Sequence, residues 1–149
     1  MTDISTLKSR YESIYGHEPC GDGALEDIER TLEIILPEDF KEISRFFSGG
    51  FLGGVSHNDI ESCGNSTSIL QETLRVREQT GLNKQYAVIA EPSESIILLN
   101  TKGQPSIIWC DAIEIEKMGT NEFGPPPDTW QNYRDFFAYL LDEEEQENA

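Results

Sequence analysis

A chain of 149 residues with 28 acidic and 11 basic side chains carries a net charge of −17. That balance argues against nucleic acid or an anionic membrane as a partner and favours basic partners steered in from a distance. The length suits one domain with a single core, and 37% apolar with 26% charged residues fits a globular chain.

Asp3 is placed to cap a first helix in which Ile4, Leu7, Tyr11 and Ile14 share a face, with Gly16 as its stop. Residues 17–23 contain Pro19, Gly21, Asp22 and Gly23 and read as a connector. Residues 24–55 form the stretch around which the rest is organised. Leu25, Ile28 and Leu32 recur at i, i+3 and i+7, one face of a helix. Ile34, Ile35 and Leu36 break that period. Pro37 then suits the first position of a second helix, and Glu38 and Asp39 sit where the helix dipole favours negative charge. Phe40, Ile43 and Phe47 supply its apolar face. Gly49 and Gly50 are expected to end it, at least one of them at positive φ.

Residues 51–63 read as an extended, glycine-weakened strand with His57, Asp59 and Glu61 on one side and Ile60 on the other. Ser68 and Gln71 have capping-box spacing for a helix that ends at Gly81. Residues 86–90, 95–100 and 106–110 read as three strands, with a turn at 101–104. The outer two are continuous apolar runs, so both faces should be covered. Residues 112–117 alternate cleanly, which predicts a further strand with Ile113 and Ile115 inward and Glu114 and Glu116 outward. Residues 119–127, with Pro125, Pro126 and Pro127, read as a loop. Asp128 or Thr129 should cap a last amphipathic helix bearing Trp130, Tyr133, Phe136, Phe137, Leu140 and Leu141. Residues 142–149 read as a solvated or frayed acidic tail.

Helices, then a run of antiparallel strands, then one helix predicts an α+β fold. It is expected as a single domain over residues 1–149: an antiparallel sheet with helices packed mainly on one face, an N-terminal helical pair and a C-terminal amphipathic helix.

The organising stretch carries a resemblance. An acidic helix, Leu-Pro-x-Asp-Phe, an aromatic turn and Gly-Gly resemble the opening signature of the SUKH superfamily. That group includes fungal cell-wall-assembly regulators and many bacterial immunity proteins. The matching residues are Glu26, Leu32, Leu36, Pro37, Asp39, Phe40, Phe46, Phe47, Gly49 and Gly50. Ser48 stands where the pattern has Asn, and Leu32-Glu33 where it often has Leu-Gly. The resemblance implies the same α+β arrangement and a protein that is not an enzyme. Bacterial members commonly bind and neutralise a cognate secreted toxin, often a nuclease.

The residues themselves offer no catalytic constellation. Gly49, Gly50, Gly53 and Gly54 follow a helix and precede a strand, the reverse of a phosphate-binding loop. His17-x-x-Cys20 and His57-x-Asp59-x-Glu61 are the only ligand-like clusters, and neither completes a zinc set. There is no Gly-x-Ser-x-Gly elbow. Catalytic, cofactor and metal residues are therefore expected to be none. Trp109 and Trp130 read as core rather than as a base-stacking platform, since flanking positive charge is missing. Cys20, Cys63 and Cys110 are odd in number without metal-like spacing, which argues for a reducing compartment. With no basic-then-apolar leader and no apolar run near the ~20 residues of a bilayer span, a cytoplasmic protein is expected.

What remains is surface. Charge density rises along the chain: residues 111–149 hold 11 acids against Lys117 and Arg134, and residues 1–110 hold 17 against 9 bases. Glu91 and Glu94 flank Pro92 in a turn between strands, and Asp111, Glu114 and Glu116 follow the Ile-Ile-Trp strand. These five are the candidate partner-binding residues, offering carboxylates to a basic toxin domain as a phosphate mimic. The alternative is a regulatory or scaffold interaction module of the cell-wall-assembly type.

Overall fold

A computed structural model describes residues 3–15, 22–47, 49–60, 68–117 and 127–147. In chain order the elements are α1 (Ile4–Tyr15), α2 (Asp22–Leu32), α3 (Glu38–Ser44), β1 (Gly50–Leu52), β2 (Val55–His57), α4 (Ile69–Thr80), β3 (Tyr86–Ala90), β4 (Ser95–Asn100), β5 (Ile107–Asp111), a 3₁₀ helix (Ala112–Lys117), β6 (Asp128–Trp130) and α5 (Tyr133–Glu147). The six strands form one sheet in the order β1-β2-β3-β4-β5-β6, with every neighbouring pair antiparallel. The fold is α+β, as the order of the sequence patterns predicts.

Alternation along the central strands divides the core in two. Ala87, Ile89, Ile97, Leu99 and Ile107 join a large cluster with Leu7 and Tyr11 of α1, Leu25, Ile28 and Leu32 of α2, Phe40 and Ile43 of α3, and Phe136, Phe137 and Leu140 of α5. On the other side Tyr86, Val88, Ile96, Leu98, Ile108 and Cys110 meet Val76 of α4, Leu82 and Ile115. Both faces of β3 are thus buried, as its continuous apolar run predicts, and both faces of β4 are buried as well, whereas β5 leaves Trp109 half-buried and Asp111 exposed. Most helices share the larger cluster, and α4 covers the smaller one.

The helix starts follow side-chain chemistry. The Ser68 hydroxyl accepts the Gln71 N–H at 3.1 Å, satisfying one orphan donor of α4, and Gly81 ends that helix in the left-handed region. Pro37 is extended, at φ −60° and ψ 148°, so it precedes α3 rather than occupying its first turn. Its neighbour Asp39 reaches across the core instead of only facing its own dipole: Oδ2 accepts the Arg134 N–H at 3.0 Å at the start of α5. The Phe40 and Tyr133 rings lie beside this contact, 4.8 Å between centroids. The Leu-Pro-x-Asp-Phe motif is therefore the clamp that seats the last helix.

Several expectations are corrected. The helix after Pro37, α3, ends at Ser44, with Arg45 as its helical cap, so Phe46 and Phe47 lie beyond it. Both are buried, as are Phe40 and Ile43. Gly49 and Gly50 do have positive φ, 118° and 99°, but they open β1 rather than stop the helix. A Cβ on Gly49 would stand 2.9 Å from the Asn58 carbonyl oxygen and from the Asp59 Cα, so close backbone approach requires glycine there. Residues 51–63 do not make one strand. Gly53 and Gly54 turn β1 back onto β2, pairing Gly50 with His57, and Glu61 lies outside the described residues, as do His17 and Cys20.

Two further corrections lie near the C-terminus. Asp128 and Thr129 belong to β6, and α5 is capped instead by Asn132, whose Oδ1 accepts the Asp135 N–H at 2.9 Å. The acidic run expected as a solvated tail continues α5 to Glu147. Its Glu144 is buried, and its Asp142 and Glu145 pair with Arg10 of α1 at 2.7 and 2.5 Å.

A candidate partner-binding surface

The β3–β4 connection places the first two candidate carboxylates. Glu91 follows β3 directly, and the Ser95 N–H bonds back to the Pro92 carbonyl at 2.9 Å, which closes the turn. Glu94 takes a left-handed φ of 62° to enter β4. Register pairs Ser95 with Asp111, and the Ala112 N–H donates to the Glu94 carbonyl at 3.0 Å. Glu94 and Asp111 are therefore neighbours at one end of the β4–β5 ladder, and both are exposed. The strands behind them are held by an apolar core on both faces, so this pair stands on a rigid base.

Glu91 is at the same end but already engaged. It pairs with Arg75 of α4, which also holds Glu72 at 3.0 Å. The Arg75 guanidinium is held above its ordinary pKa, first by its hydrogen bond to Glu91. A partner's cation would have to compete with Arg75 for that carboxylate.

Glu114 and Glu116 are not an outward strand pair. Residues 112–117 form a 3₁₀ helix, in which three residues complete a turn and the strand's alternation disappears. Ile113 is 84% exposed, whereas Glu114 is buried beside Ile115. The Glu114 charge is turned toward the smaller core, where it helps push the Cys110 thiol up to about 11. Burial is the first cause of that shift, followed by the Asp111 and Glu114 charges. The Glu116 side chain lies outside the described residues. The structure thus brings Glu91, Glu94 and Asp111 to one end of the sheet and leaves Glu114 facing inward.

His57 has the opposite environment from a catalytic base. It is enclosed on the core side of β2, edge-on to Phe47 at 5.1 Å, with Nδ1 3.2 Å from the Gly50 carbonyl oxygen and 3.3 Å from that of Val55. Desolvation lowers its pKa to about 4, against a smaller opposing effect of those two carbonyls. Its neutral ring packs as a core aromatic. Among the described residues no group of three or more His, Cys, Asp or Glu side chains is placed to hold a metal ion. No helix among them is long and apolar enough to cross a membrane.

A protein-family model described as SUKH_5, SMI1-KNR4 cell-wall, matches residues 4–124. That span holds α1 through the 3₁₀ helix, including the Asp39 clamp and the Glu91, Glu94 and Asp111 end of the sheet. No curated protein matches the sequence.

Proposed function

Because this chain belongs to the SUKH family of SMI1-KNR4 type, we propose that it is a non-enzymatic immunity protein. In this reading it works in the cytoplasm, where it binds and neutralises a cognate secreted bacterial toxin. The toxin domain is basic, a nuclease, and the contact runs through carboxylates. The observation that supports this most is the exposed Glu94–Asp111 pair at the rigid end of the sheet, on a chain of net charge −17. A nuclease that grips phosphates must present a basic groove, and fixed carboxylates can fill it without paying to order a loop. The test is inhibition: the gene neighbourhood is searched for a toxin domain, the protein is mixed with that domain, and nuclease activity is followed as a function of salt. Loss of activity at stoichiometric protein, relieved by salt, supports the reading. Full activity at low salt opposes it.

A second reading has its own support in the description of the matching family as cell-wall. In it the same surface serves a regulatory or scaffold module with a cellular partner. Capture of a non-toxin partner by the same carboxylates, with no effect on a neighbouring toxin, would select it.

A further inference from the structure

The two tryptophans of the chain are not sealed in the core. Trp109 and Trp130 are half-buried and, with Asp128, Thr129 and Tyr139, they line an open groove of about 420 Å³ between the β5–β6 end of the sheet and α5. Register explains the grouping. Trp109 pairs with Asp128 and Ile107 with Trp130, so Asp128, Trp109 and Trp130 project from one sheet face. The Trp109 Nε1–H donates to Ser95 Oγ at 3.0 Å, which fixes that indole. Trp130 rests on Phe136, 4.7 Å between centroids, and stands 5.4 Å from Tyr139 and 6.4 Å from Trp109.

We propose that this groove receives an arginine side chain of a basic protein partner. Three aromatic rings line the groove, and a cation placed over the face of such a ring is attracted by its quadrupole. A planar guanidinium can also stack on an indole and bond a carboxylate through its fork of donors. The Asp128 side chain is exposed, and among the described residues it has no hydrogen-bond or ion-pair partner and no cation lines the groove. An aliphatic side chain would leave that carboxylate unused, and an anion would meet both it and the chain's overall negative charge. The groove is also continuous with the acidic end of the sheet, since Ser95 follows Glu94 and Asp111 lies two residues beyond Trp109. The inference rests on the proposed basic partner and adds the residue type that would anchor it.

Because both tryptophans line the groove, intrinsic fluorescence reports its occupancy. The probe is acetyl-Gly-Arg-Gly-amide, titrated into the full chain at fixed ionic strength. The variants are Asp128→Asn, Tyr139→Ser and Glu78→Gln, the last removing one charge from α4. A saturable fluorescence change is expected, weakened roughly fivefold or more by Asp128→Asn and by Tyr139→Ser and less than about twofold by Glu78→Gln. No saturable change, or equal weakening by Asp128→Asn and Glu78→Gln, overturns the groove. The same variants are then tested against the neighbouring toxin domain. Binding that ignores Asp128→Asn and Tyr139→Ser removes the groove from the interface and leaves the immunity reading standing. A toxin that fails to bind the unaltered chain defeats that reading, while the peptide titration still decides the groove.

Discussion

The Gly53 N–H donates to the Glu144 Oε1 at 3.0 Å, tying the β1–β2 turn to the last helix across 91 residues of chain. A Cβ on Gly53 would stand 2.6 Å from the Leu140 carbonyl oxygen, and its φ is already +58°. Gly53→Ala is expected to destabilise by roughly 2–4 kcal/mol, because the obstacle is helix backbone that cannot rotate away. Glu144→Ala should cost about 1 kcal/mol by taking the acceptor from the part-buried Gly53 donor. Denaturant midpoints check both. If neither variant moves the midpoint, the turn is not anchored to α5.

Phe40→Ala and Phe47→Ala should each destabilise by roughly 3–5 kcal/mol, as buried aromatic truncations do. Phe40 meets Tyr133 and Phe47 meets Phe137 at 5.3 Å, so each loss opens a void against α5. Thermal melts unchanged within error would contradict this packing.

Position 33 offers a stabilising change. Glu33 ends α2 at φ +58°, where a Cβ is disfavoured. It stands where the family pattern often has glycine, and its contact to Lys84 is exposed at both ends. Glu33→Gly is expected to raise the melting temperature. A lower value would show that the Lys84 pair outweighs the backbone strain.

The buried His57 predicts a pH dependence with a definite sign. Its folded pKa, about 4, lies below the ordinary value of 6.5, so the unfolded chain binds the extra proton between those two values. Stability from this group is complete above about pH 6.5, falls as pH drops toward 4, and levels off below that. The slope approaches about 1.4 kcal/mol per pH unit within the window. His57→Gln removes the titrating ring, so the difference in stability between the parent chain and this variant should shrink or reverse from pH 7 to pH 5. A difference independent of pH would mean that His57 is open to water in the folded protein.

The apolar periods of α1 and α2, the Ser68 cap, Gly81, and strands β3 and β4 could all be read from the sequence, because local pattern and final burial agree there. The failures share a cause. Alternation at residues 112–117 points to a strand, but tertiary packing imposed a 3₁₀ turn whose period of three breaks that pattern, burying Glu114 and exposing Ile113. Asp128 and Thr129 are good caps by residue type, but pairing with β5 claimed them first. The acidic end of α5 looks solvated because partners 91 and 135 residues distant, Gly53 and Arg10, are invisible to any local window. The groove around Trp109 was hidden for the same reason: aromatic residues in sequence read as core, and only the β5–β6 register shows that they share a face with Asp128.

The inward turn of Glu114 also redirects mutagenesis. Glu114→Lys should lower the melting temperature, since it forces a longer side chain with a charge of opposite sign into a buried position. Asp111→Lys should barely move it, since that side chain is exposed. Equal melts for the two variants would put Glu114 back on the surface.

The most direct test of partner recognition is the affinity of a toxin domain from the same locus, the partner this proposal requires, for the parent chain and for the Glu94→Lys/Asp111→Lys double variant. It is measured at low salt and again near physiological ionic strength, where the Debye length is ~8 Å. The proposal predicts tight binding at low salt, an association rate that falls steeply as salt rises, and a double variant that folds normally but binds at least about tenfold more weakly. A toxin domain that binds both proteins equally well and without regard to salt would contradict it.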